Sequence, residues 1–500
     1  MGEKERLMKH RLMAAVFMGS TLMACTNLVT NTPNVNTAKG VELASEIPIT
    51  FEDMKGNRAE AFRGHFIVPE NRSNPDSRKI RLEYVRFPAT TETPGAPIVY
   101  LAGGPGGSGI NTAKRQRFPL FMAMRQFGDV IAFDQRGTGA SDNDLPRCKS
   151  GVIITDKTTV SDTEYGDMYK KAADICLEFW ASKNVDVLGY TTQESVQDLD
   201  ALRAHLDVPK ISLWGISYGS HLGLAALKTM DDRIDRVVLA SVEGLDQTVK
   251  SPEATDAYFS RVQEAINTVP ELKSAYPDLV PMMRRVQARL EANPMRMTVA
   301  FKKAGPYEYL LDKNDLQMVG SGMISDPKWV LYLAEIYTGL DKGNTGPLIE
   351  VLSVFFEPDE DINFSPMTFA MDVASGITEA RLEQVNREAK TGLVGSYLNF
   401  PMPLLNKYVP NLDLGDEFRQ KPTSHVPTLV LSGTLDGRTY VQSQAEAVSD
   451  MPNVERVIIK NAGHNLFMTS PEVTTRIETF MRGEKSDVTE IIVPFPPPEG

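Results

Sequence analysis

Short apolar runs of strand type alternate with helix-patterned segments along much of the chain, and this alternation restricts the fold more than any other feature. The clearest runs are "APIVYLA", "GDVIAFD", "KISLW", "DRVVLASV", "VPTLVLSG" and "VERVIIKNAG". A continuously apolar strand indicates burial on both faces of its sheet, which requires helices on either side. We therefore expect an α/β fold with a mostly parallel sheet between two layers of helices.

The alternation is interrupted between about residues 244 and 421, where helical spacing of apolar residues prevails. The chain has 500 residues, and a single core stops growing at roughly 250 to 300. We predict a core over residues 46–243 and 422–485, with a helical cap inserted at 244–421. The Pro-rich residues 486–500 are predicted to form an extended tail.

One serine stands in a glycine-flanked turn between a predicted strand and a predicted helix. In "KISLWGISYGSHLGLAA", Ser217 lies between Gly215 and Gly219. A nucleophilic serine in such a turn is strained, and larger side chains two residues away on either side would collide with neighbouring elements. The helix that follows directs N–H groups at developing negative charge. We predict Ser217 as nucleophile and the backbone N–H of Tyr218 as an oxyanion donor.

A base and an acid are expected after this serine, because folds with such a turn present the acid and then the histidine later in the chain. Of six histidines, His464 alone stands in a loop just after a late strand, whereas His221 is expected to pack behind the serine. Asp436 lies in the loop after the preceding strand and can hold the second ring nitrogen of His464. Asp436-Gly437 is also an ordinary turn dipeptide.

The segment "IVYLAGGPGGSG" offers glycine backbone after an early strand. Bare main chain can approach a substrate carbonyl, and we assign the second oxyanion donor to Gly104. The same glycines match the GxGxxG pattern of dinucleotide-binding proteins, with Asp134 as the ribose-binding acid. Pro119 interrupts the helix that this alternative needs, and the serine, acid and histidine are left unexplained. Dinucleotide binding is kept as a remote alternative.

The first 25 residues have the pattern of an export signal. Basic residues precede the apolar run from Leu12 to Ala24, which is too short to span a bilayer. "LMAC" resembles the lipobox of bacterial lipoproteins, which implies lipidation at Cys25; a plain signal peptide or a start at Met8 are the alternatives. Residues 26–45 are predicted to be a flexible tether. We expect an exported bacterial protein, anchored by lipid at the periplasmic face of the outer membrane.

Apart from Cys25 the chain has two cysteines, Cys148 and Cys176. An even number in an oxidising compartment predicts a disulfide, and closing a loop of this length stabilises by roughly 3 to 4 kcal/mol in the chain-entropy model. Two buried free thiols are the alternative.

Charge and composition exclude several functions. A net charge of −12 without any basic run argues against nucleic-acid binding. The sequence has no HExxH, CxxC or His/Cys cluster, so neither a metal nor another cofactor is expected. The partner is expected to be a small molecule or a peptide, and nothing in the sequence gives the oligomeric state.

Six segments together carry a family resemblance: "GGPGGSG", "DQRGTGAS", "TTQESVQDLDALRAHLDV", "WGISYGS", "SGTLDGRT" and "AGHNLF". Over about residues 50–482 the chain resembles the prolyl iminopeptidase and tripeptidyl aminopeptidase group of α/β-hydrolases. The resemblance implies a serine peptidase that uses Ser217, His464 and Asp436 on peptides with a free N-terminus, beneath a helical cap. Ala102 departs from the group, which usually has histidine before the two glycines.

An exopeptidase of this kind needs an anion for the substrate ammonium. Glu243 follows the strand "DRVVLASV" at the edge of the sheet that carries the site, and we predict it for this role; a solvated loop glutamate is the alternative. A carboxylesterase or lipase would use the same three residues and cap, and is the alternative function.

Overall fold

The computed structural model describes residues 46–142 and 145–497. The predicted signal sequence, the lipidation site Cys25 and the tether lie outside these ranges. No helix within them is long and apolar enough to cross a membrane.

The strands are, in chain order, β1 Ile47–Glu52, β2 Arg58–Pro69, β3 Lys79–Phe87, β4 Ile98–Leu101, β5 Val130–Phe133, β6 Cys148–Ile153, β7 Ile211–Ser217, β8 Ile234–Val242, β9 Met295–Phe301, β10 Gly305–Leu311, β11 Asp361–Phe364, β12 Thr428–Gly433, β13 Val454–Lys460 and β14 Glu490–Ile492. Ten of them form one sheet in the order β1-β2-β3-β5-β4-β7-β8-β12-β13-β14. Strands β1, β2, β3 and β5 pair antiparallel, and every pair from β5 to β14 is parallel. The predicted mostly parallel sheet is confirmed.

The helices are α1 Gly109–Ala113, α2 Phe118–Met124, α3 Asp162–Ser182, α4 Thr192–His205, α5 Tyr218–Thr229, α6 Pro252–Asn267, α7 Pro270–Ala275, α8 Leu279–Ala292, α9 Lys313–Met323, α10 Pro327–Asp341, α11 Gly346–Phe355, α12 Pro366–Ser375, α13 Glu379–Ala389, α14 Met402–Tyr408, α15 Gly415–Arg419, α16 Val441–Ala447 and α17 Pro471–Met481. Short 3-10 turns cover Gly139–Asp142, Val187–Tyr190, Asp231–Arg233 and Pro410–Leu412.

Strand β4 shows how the sheet is covered on both faces. Its residues are all buried, and successive side chains point to opposite faces of a sheet. Val99 and Leu101 pack into a hydrophobic cluster that includes α3, α4 and α5. Ile98 and Tyr100 pack into a second cluster with α2 and α17. The helices on both faces predicted from the apolar runs are therefore present.

The insertion departs from an all-helical cap. Strands β9 and β10 form a hairpin within it, because "MRMTVAF" alternates apolar and polar residues so that Met297, Val299 and Phe301 are buried on one side. This hairpin and helices α6, α8, α9, α10 and α11 share a hydrophobic cluster of their own. Residues 361–375 behave differently, since β11 pairs with β6 and α12 packs into the first core cluster. The segment predicted as one cap at 244–421 is thus divided between these two clusters and a small third one formed by Val249, Ile377 and Val385.

Two further features concern the predicted bridge and tail. Cys148, the first residue of β6, is joined by a disulfide to Cys176 of α3, and both are fully buried. The bridge fixes β6, and with it the paired β11, against α3. The predicted tail at 486–500 contributes β14, which pairs with β13 at the edge of the main sheet.

Candidate active site

Ser217 occupies a strained turn at the carboxyl end of β7. Its backbone has φ +55° and ψ −129°, a conformation that residues with a side chain rarely adopt. A Cβ atom added at Gly215 would lie 2.5 Å from the carbonyl oxygen of Gly219, and one added at Gly219 would lie 2.1 Å from that of Leu101. Both distances are far below van der Waals contact. The turn therefore requires glycine on each side of the serine.

The residue after the serine begins helix α5. The N–H groups of the first helical turn have no partner within the helix and carry the positive end of its dipole. The side chain of Tyr218 is buried, and its hydroxyl forms a 3.0 Å hydrogen bond with Thr192 Oγ1. This bond holds the residue in place. Its backbone N–H is available for the oxyanion role predicted from the sequence.

The glycine loop after β4 lies directly against the serine. A Cβ at Gly103 would come within 3.0 Å of Ser217 Cβ and 2.8 Å of the Ile216 carbonyl oxygen. The loop is closed by a 3.0 Å hydrogen bond that the Gly107 N–H donates to the Gly103 carbonyl. Gly104, the predicted second donor, follows at φ +128°, in the left-handed half of conformational space that favours glycine. The structure thus brings this loop and Ser217 together.

Asp436 and His464, which the sequence assigns as acid and base, are in direct contact. The imidazole Nδ1 lies 2.9 Å from Asp436 Oδ2 and 3.1 Å from Oδ1. The Asp436 side chain is completely buried, whereas that of His464 is 20% exposed. With Nδ1–H donating to the carboxylate, Nε2 keeps the lone pair that a general base requires.

The Asp436 carboxylate accepts three more hydrogen bonds from its own loop. They come from the N–H groups of Arg438 and Thr439, at 2.8 and 2.9 Å, and from Thr439 Oγ1 at 2.6 Å. Burial by itself would raise the pKa of Asp436, but the adjacent imidazole and these donors together hold the pKa below its usual value. The group is therefore an ionised, fully hydrogen-bonded carboxylate at neutral pH.

Asp134, the acid of the dinucleotide-binding alternative, accepts hydrogen bonds within the protein. Asp134 is buried and accepts hydrogen bonds from Ser108 Oγ at 2.6 Å, the Ile110 N–H at 3.0 Å and the Ala140 N–H at 2.8 Å. It ties the glycine loop to the following loop, and both of its carboxylate oxygens accept hydrogen bonds from the protein. The dinucleotide-binding alternative therefore has no free acid at this position to recognise the ribose.

Glu243 lies beside the site, but its carboxylate is not free. It forms an ion pair with Lys250, and both side chains are about nine-tenths buried. Burial would raise the pKa of Glu243, but Lys250 and the neighbouring His221 hold the pKa below its usual value. His221 is fully buried behind the serine, as expected, between the Gly244 carbonyl and Ser375 Oγ. The carboxylate of Glu243 is therefore already neutralised by Lys250 within the protein.

Asp372, on helix α12, is the acid that the sequence reasoning missed. Within the described ranges its carboxylate has no hydrogen-bond or ion-pair partner among the side chains. Burial, and then the negative charge of Glu243, raise the pKa of Asp372 to about 7. It stands as a lone acid in the apolar helix "PMTFAMDVAS", and this was the signal available in the sequence.

Helix α12 crosses the site. A Cβ at Gly106 of the glycine loop would lie 3.0 Å from Thr368 Oγ1. Asp372 follows Thr368 by four residues and so faces the same side of the helix, and Ser375 contacts His221 one turn further on. The helix thus places Asp372 between the glycine loop and the buried Glu243–Lys250 pair. No group of three His, Cys, Asp or Glu residues suited to a metal ion occurs in the described part of the chain.

Comparison with known proteins agrees with this geometry. Residues 96–307 match the family model for the alpha/beta hydrolase fold. Serine protease Hip1 of Mycobacterium tuberculosis is 29% identical over 217 residues, 41% of this chain and 40% of the relative. Tripeptidyl aminopeptidase of Streptomyces lividans is 30% identical over 191 residues, 36% and 35% of the two chains. Proline iminopeptidase of Arabidopsis thaliana is 24% identical over 247 residues, 49% and 47%.

Each of these matches spans less than half of the relative's own length. Among solved structures, an epoxide hydrolase from an endophytic Streptomyces aligns with a TM-score of 0.37 and 15% identity, over 86% of this chain and 98% of that one. A thermophilic esterase from Thermogutta terrifontis aligns with a TM-score of 0.33 and 16% identity, over 88% and 99%. The family-model match over residues 96–307, the mostly parallel sheet and the serine turn between β7 and α5 show that the chain has an α/β-hydrolase fold.

Proposed function

We propose that the protein is a serine aminopeptidase that releases N-terminal residues or short peptides. The observations that carry the hydrolase chemistry are the contact between buried Asp436 and His464 and the strained turn of Ser217 at the carboxyl end of β7. The names of the curated relatives, all peptidases, support peptides as substrates.

The reaction follows from these positions. Ser217 Oγ attacks the substrate carbonyl while His464 Nε2 takes its proton, and the backbone N–H groups of Tyr218 and Gly104 stabilise the oxyanion. His464 then gives the proton to the leaving amine, which breaks the C–N bond and leaves an ester on Ser217. Water, deprotonated by the same histidine, hydrolyses this ester. Asp436 keeps the imidazole in the required tautomer throughout.

Recognition of a free N-terminus requires an anion close to the nucleophile. Asp372 supports this role better than Glu243 does alone, because Glu243 is ion-paired with Lys250 whereas the carboxylate of Asp372 has no ion-pair partner within the described residues. The positive charges of Lys250 and Arg438 lower the pKa of Asp372, but burial and Glu243 outweigh them. We therefore assign the ammonium to Asp372, with Glu243 as its neighbour.

The test compares three matched substrates on the protein without its predicted signal: a fluorogenic peptide amide with a free N-terminus, its N-acetylated twin and a short-chain ester. Cleavage of the free amide alone supports an aminopeptidase. Turnover of the ester alone would replace this proposal by the carboxylesterase or lipase alternative. Ser217→Ala is the control for every activity, since it removes the nucleophile.

Two variants examine the ammonium site. Asp372→Asn is expected to raise KM for the free amide at least tenfold while changing turnover of an uncharged ester less than twofold, because only the amide carries the ammonium. Asp361→Asn is the matched control, as it replaces an acid of β11 that bonds the backbone of β6. An equal effect of Asp372→Asn on both substrates would remove the ammonium from the proposal.

Export with lipidation at Cys25 is proposed on the sequence pattern described above. The Cys148–Cys176 disulfide supports this location, because such bonds persist in oxidising compartments.

A further inference from the structure

Three residues of the insertion, Ile324–Asp326, connect helices α9 and α10 and pass between the two catalytic loops; we call them the brace. The Gly437 N–H, next to Asp436, donates a 2.9 Å hydrogen bond to the Ile324 carbonyl. The His464 N–H donates a 2.7 Å hydrogen bond to the Ser325 carbonyl. Consecutive carbonyls of one short segment therefore bind the acid loop and the histidine loop.

The brace approaches both loops at glycines. A Cβ at Gly437 would lie 2.4 Å from the Ile324 carbonyl oxygen, and a Cβ at Gly463 would lie 2.6 Å from the Ser325 carbonyl oxygen. Both glycines have backbone angles outside the left-handed region, so conformational freedom does not explain them. They are needed because the brace backbone occupies the space that any side chain would fill.

The acid loop is held by the insertion at other points as well. Leu435 and Tyr440, on either side of Asp436, pack into the hydrophobic cluster of the insertion. Arg261 Nε of α6 donates a 3.0 Å hydrogen bond to the Thr434 carbonyl, and the Tyr440 hydroxyl contacts Thr255 Oγ1 of the same helix. The loop that carries Asp436 thus lies in the core segment of the sequence, but it packs against the insertion.

The brace is itself fixed at both ends. Ile324 is fully buried in the cluster of the insertion. Asp326 is the N-cap of α10, and its Oδ1 accepts a 2.8 Å hydrogen bond from the Lys328 N–H. A segment held in this way can transmit the position of the insertion to the two loops.

We propose that the brace is a positioning element that sets the Asp436–His464 contact, so that the insertion builds the catalytic base in addition to restricting access. This inference rests on the proposed function, since it requires that Asp436 and His464 act together. It predicts that displacing the brace lowers kcat and leaves KM unchanged, because substrate-binding groups such as Asp372 lie on α12, outside the cluster that carries the brace.

Gly463→Ala tests the proposal by pushing the histidine loop away from Ser325. Gly322→Ala, at an exposed position of α9 with no heavy atom within 4 Å of the new methyl group, is the matched control. We expect kcat on the free peptide amide to fall about 100-fold in Gly463→Ala, the loss that follows a misplacement of roughly 1 Å, with KM within about twofold. Gly322→Ala should equal the parent in both constants.

A second pair of variants covers the case in which Gly463→Ala fails to fold. Asp326→Ala removes the cap that fixes the end of the brace, whereas Asp326→Asn keeps a good N-cap residue. We expect Asp326→Ala to lower kcat about fivefold at unchanged KM, and Asp326→Asn to restore it. If the role of Asp326 is only structural, kcat of the folded fraction, measured well below the unfolding temperature, should be equal in both variants.

Labelling of Ser217 by a fluorophosphonate separates failure of this inference from failure of the proposed function. A parent enzyme that is neither labelled nor active would overturn the proposed function and the inference with it. A labelled, active parent whose folded Gly463→Ala and Asp326→Ala variants keep the kcat of their controls would overturn the positioning role alone.

Discussion

Replacing Asp436 by asparagine probes the catalytic pair with almost no change in shape. The carboxylate oxygen that bonds the N–H groups of Arg438 and Thr439 can be replaced by the amide oxygen. The amide –NH2 then faces Thr439 Oγ1 and His464 Nδ1, at the positions now 2.6 and 2.9 Å from Oδ2. An N–H donor in this place makes Nδ1 an acceptor. The ring proton is forced onto Nε2, where the base toward Ser217 is needed.

The size of the effect follows from this change of tautomer. An enzyme with the histidine in the wrong tautomer keeps its oxyanion donors but loses its general base, which lowers kcat by roughly 10³- to 10⁴-fold. This loss corresponds to about 4 to 5.5 kcal/mol in the activation free energy. KM for the free peptide amide should change little, because Asp436 is completely buried and out of reach of the substrate.

The assay measures kcat on the fluorogenic amide and the rate of phosphonate labelling of Ser217. Asp129→Asn is the control, since Asp129 also accepts a backbone N–H, from Ala89, and pairs with Arg86, but it precedes β5 at the edge of the sheet opposite the site. A loss of less than tenfold in folded Asp436→Asn would refute the orienting role of Asp436.

The unfolding free energy of the same variant gives an independent test of the pKa of Asp436. The pKa of Asp436 in the folded protein lies below the ordinary value of 3.8, so its ionised form stabilises the fold above that pH, and this contribution is lost as the pH falls through the folded value. The difference in unfolding free energy between parent and Asp436→Asn should therefore shrink below about pH 4. A difference that stays constant down to pH 3 in urea titrations would contradict the depressed pKa.

Three further predictions concern recognition, the disulfide and export. Burial and Glu243 raise the pKa of Asp372 to about 7, and the proposed binding of a substrate ammonium requires the ionised carboxylate, so KM for free peptide amides should fall as the pH rises through 7; a pH profile identical in Asp372→Asn would contradict this. Replacing Cys148 and Cys176 together by alanine should lower the unfolding free energy by about 3 kcal/mol in urea titrations, whereas an unchanged value would show that the bridge does not form. Labelling of cells with a radioactive fatty acid should mark the protein and not its Cys25→Ala variant; equal labelling would exclude that cysteine as the anchor.

The framework of the site could be predicted because it depends on local patterns. The apolar runs at "APIVYLA" and "KISLW" became adjacent parallel strands β4 and β7, and the carboxyl ends of such strands meet at one edge of the sheet. This edge is where the structure brings the glycine loop and Ser217 together. Chain order then sufficed to choose Asp436 and His464, which are in contact.

The features that the sequence did not predict depend on contacts between segments that are distant in the chain. Asp372 lies more than a hundred residues from Glu243, and only the packing of α12 against the core brings them close. The ion pair between Glu243 and Lys250 spans seven residues, but a loop glutamate gives no sign of whether a lysine folds back onto it. The brace acts through backbone carbonyls, which no pattern of side chains reveals.

The position of β8 has a consequence for how the protein assembles. Its neighbour β12 begins only at residue 428, so the fully buried edge of β8, from Val237 to Ala240, stays unpaired while the whole insertion is being synthesised. An apolar strand edge left open in this way is a template for association with other chains. Mutations that slow folding of the insertion should therefore appear first as aggregation of newly made protein, and a chaperone that covers this edge would rescue them.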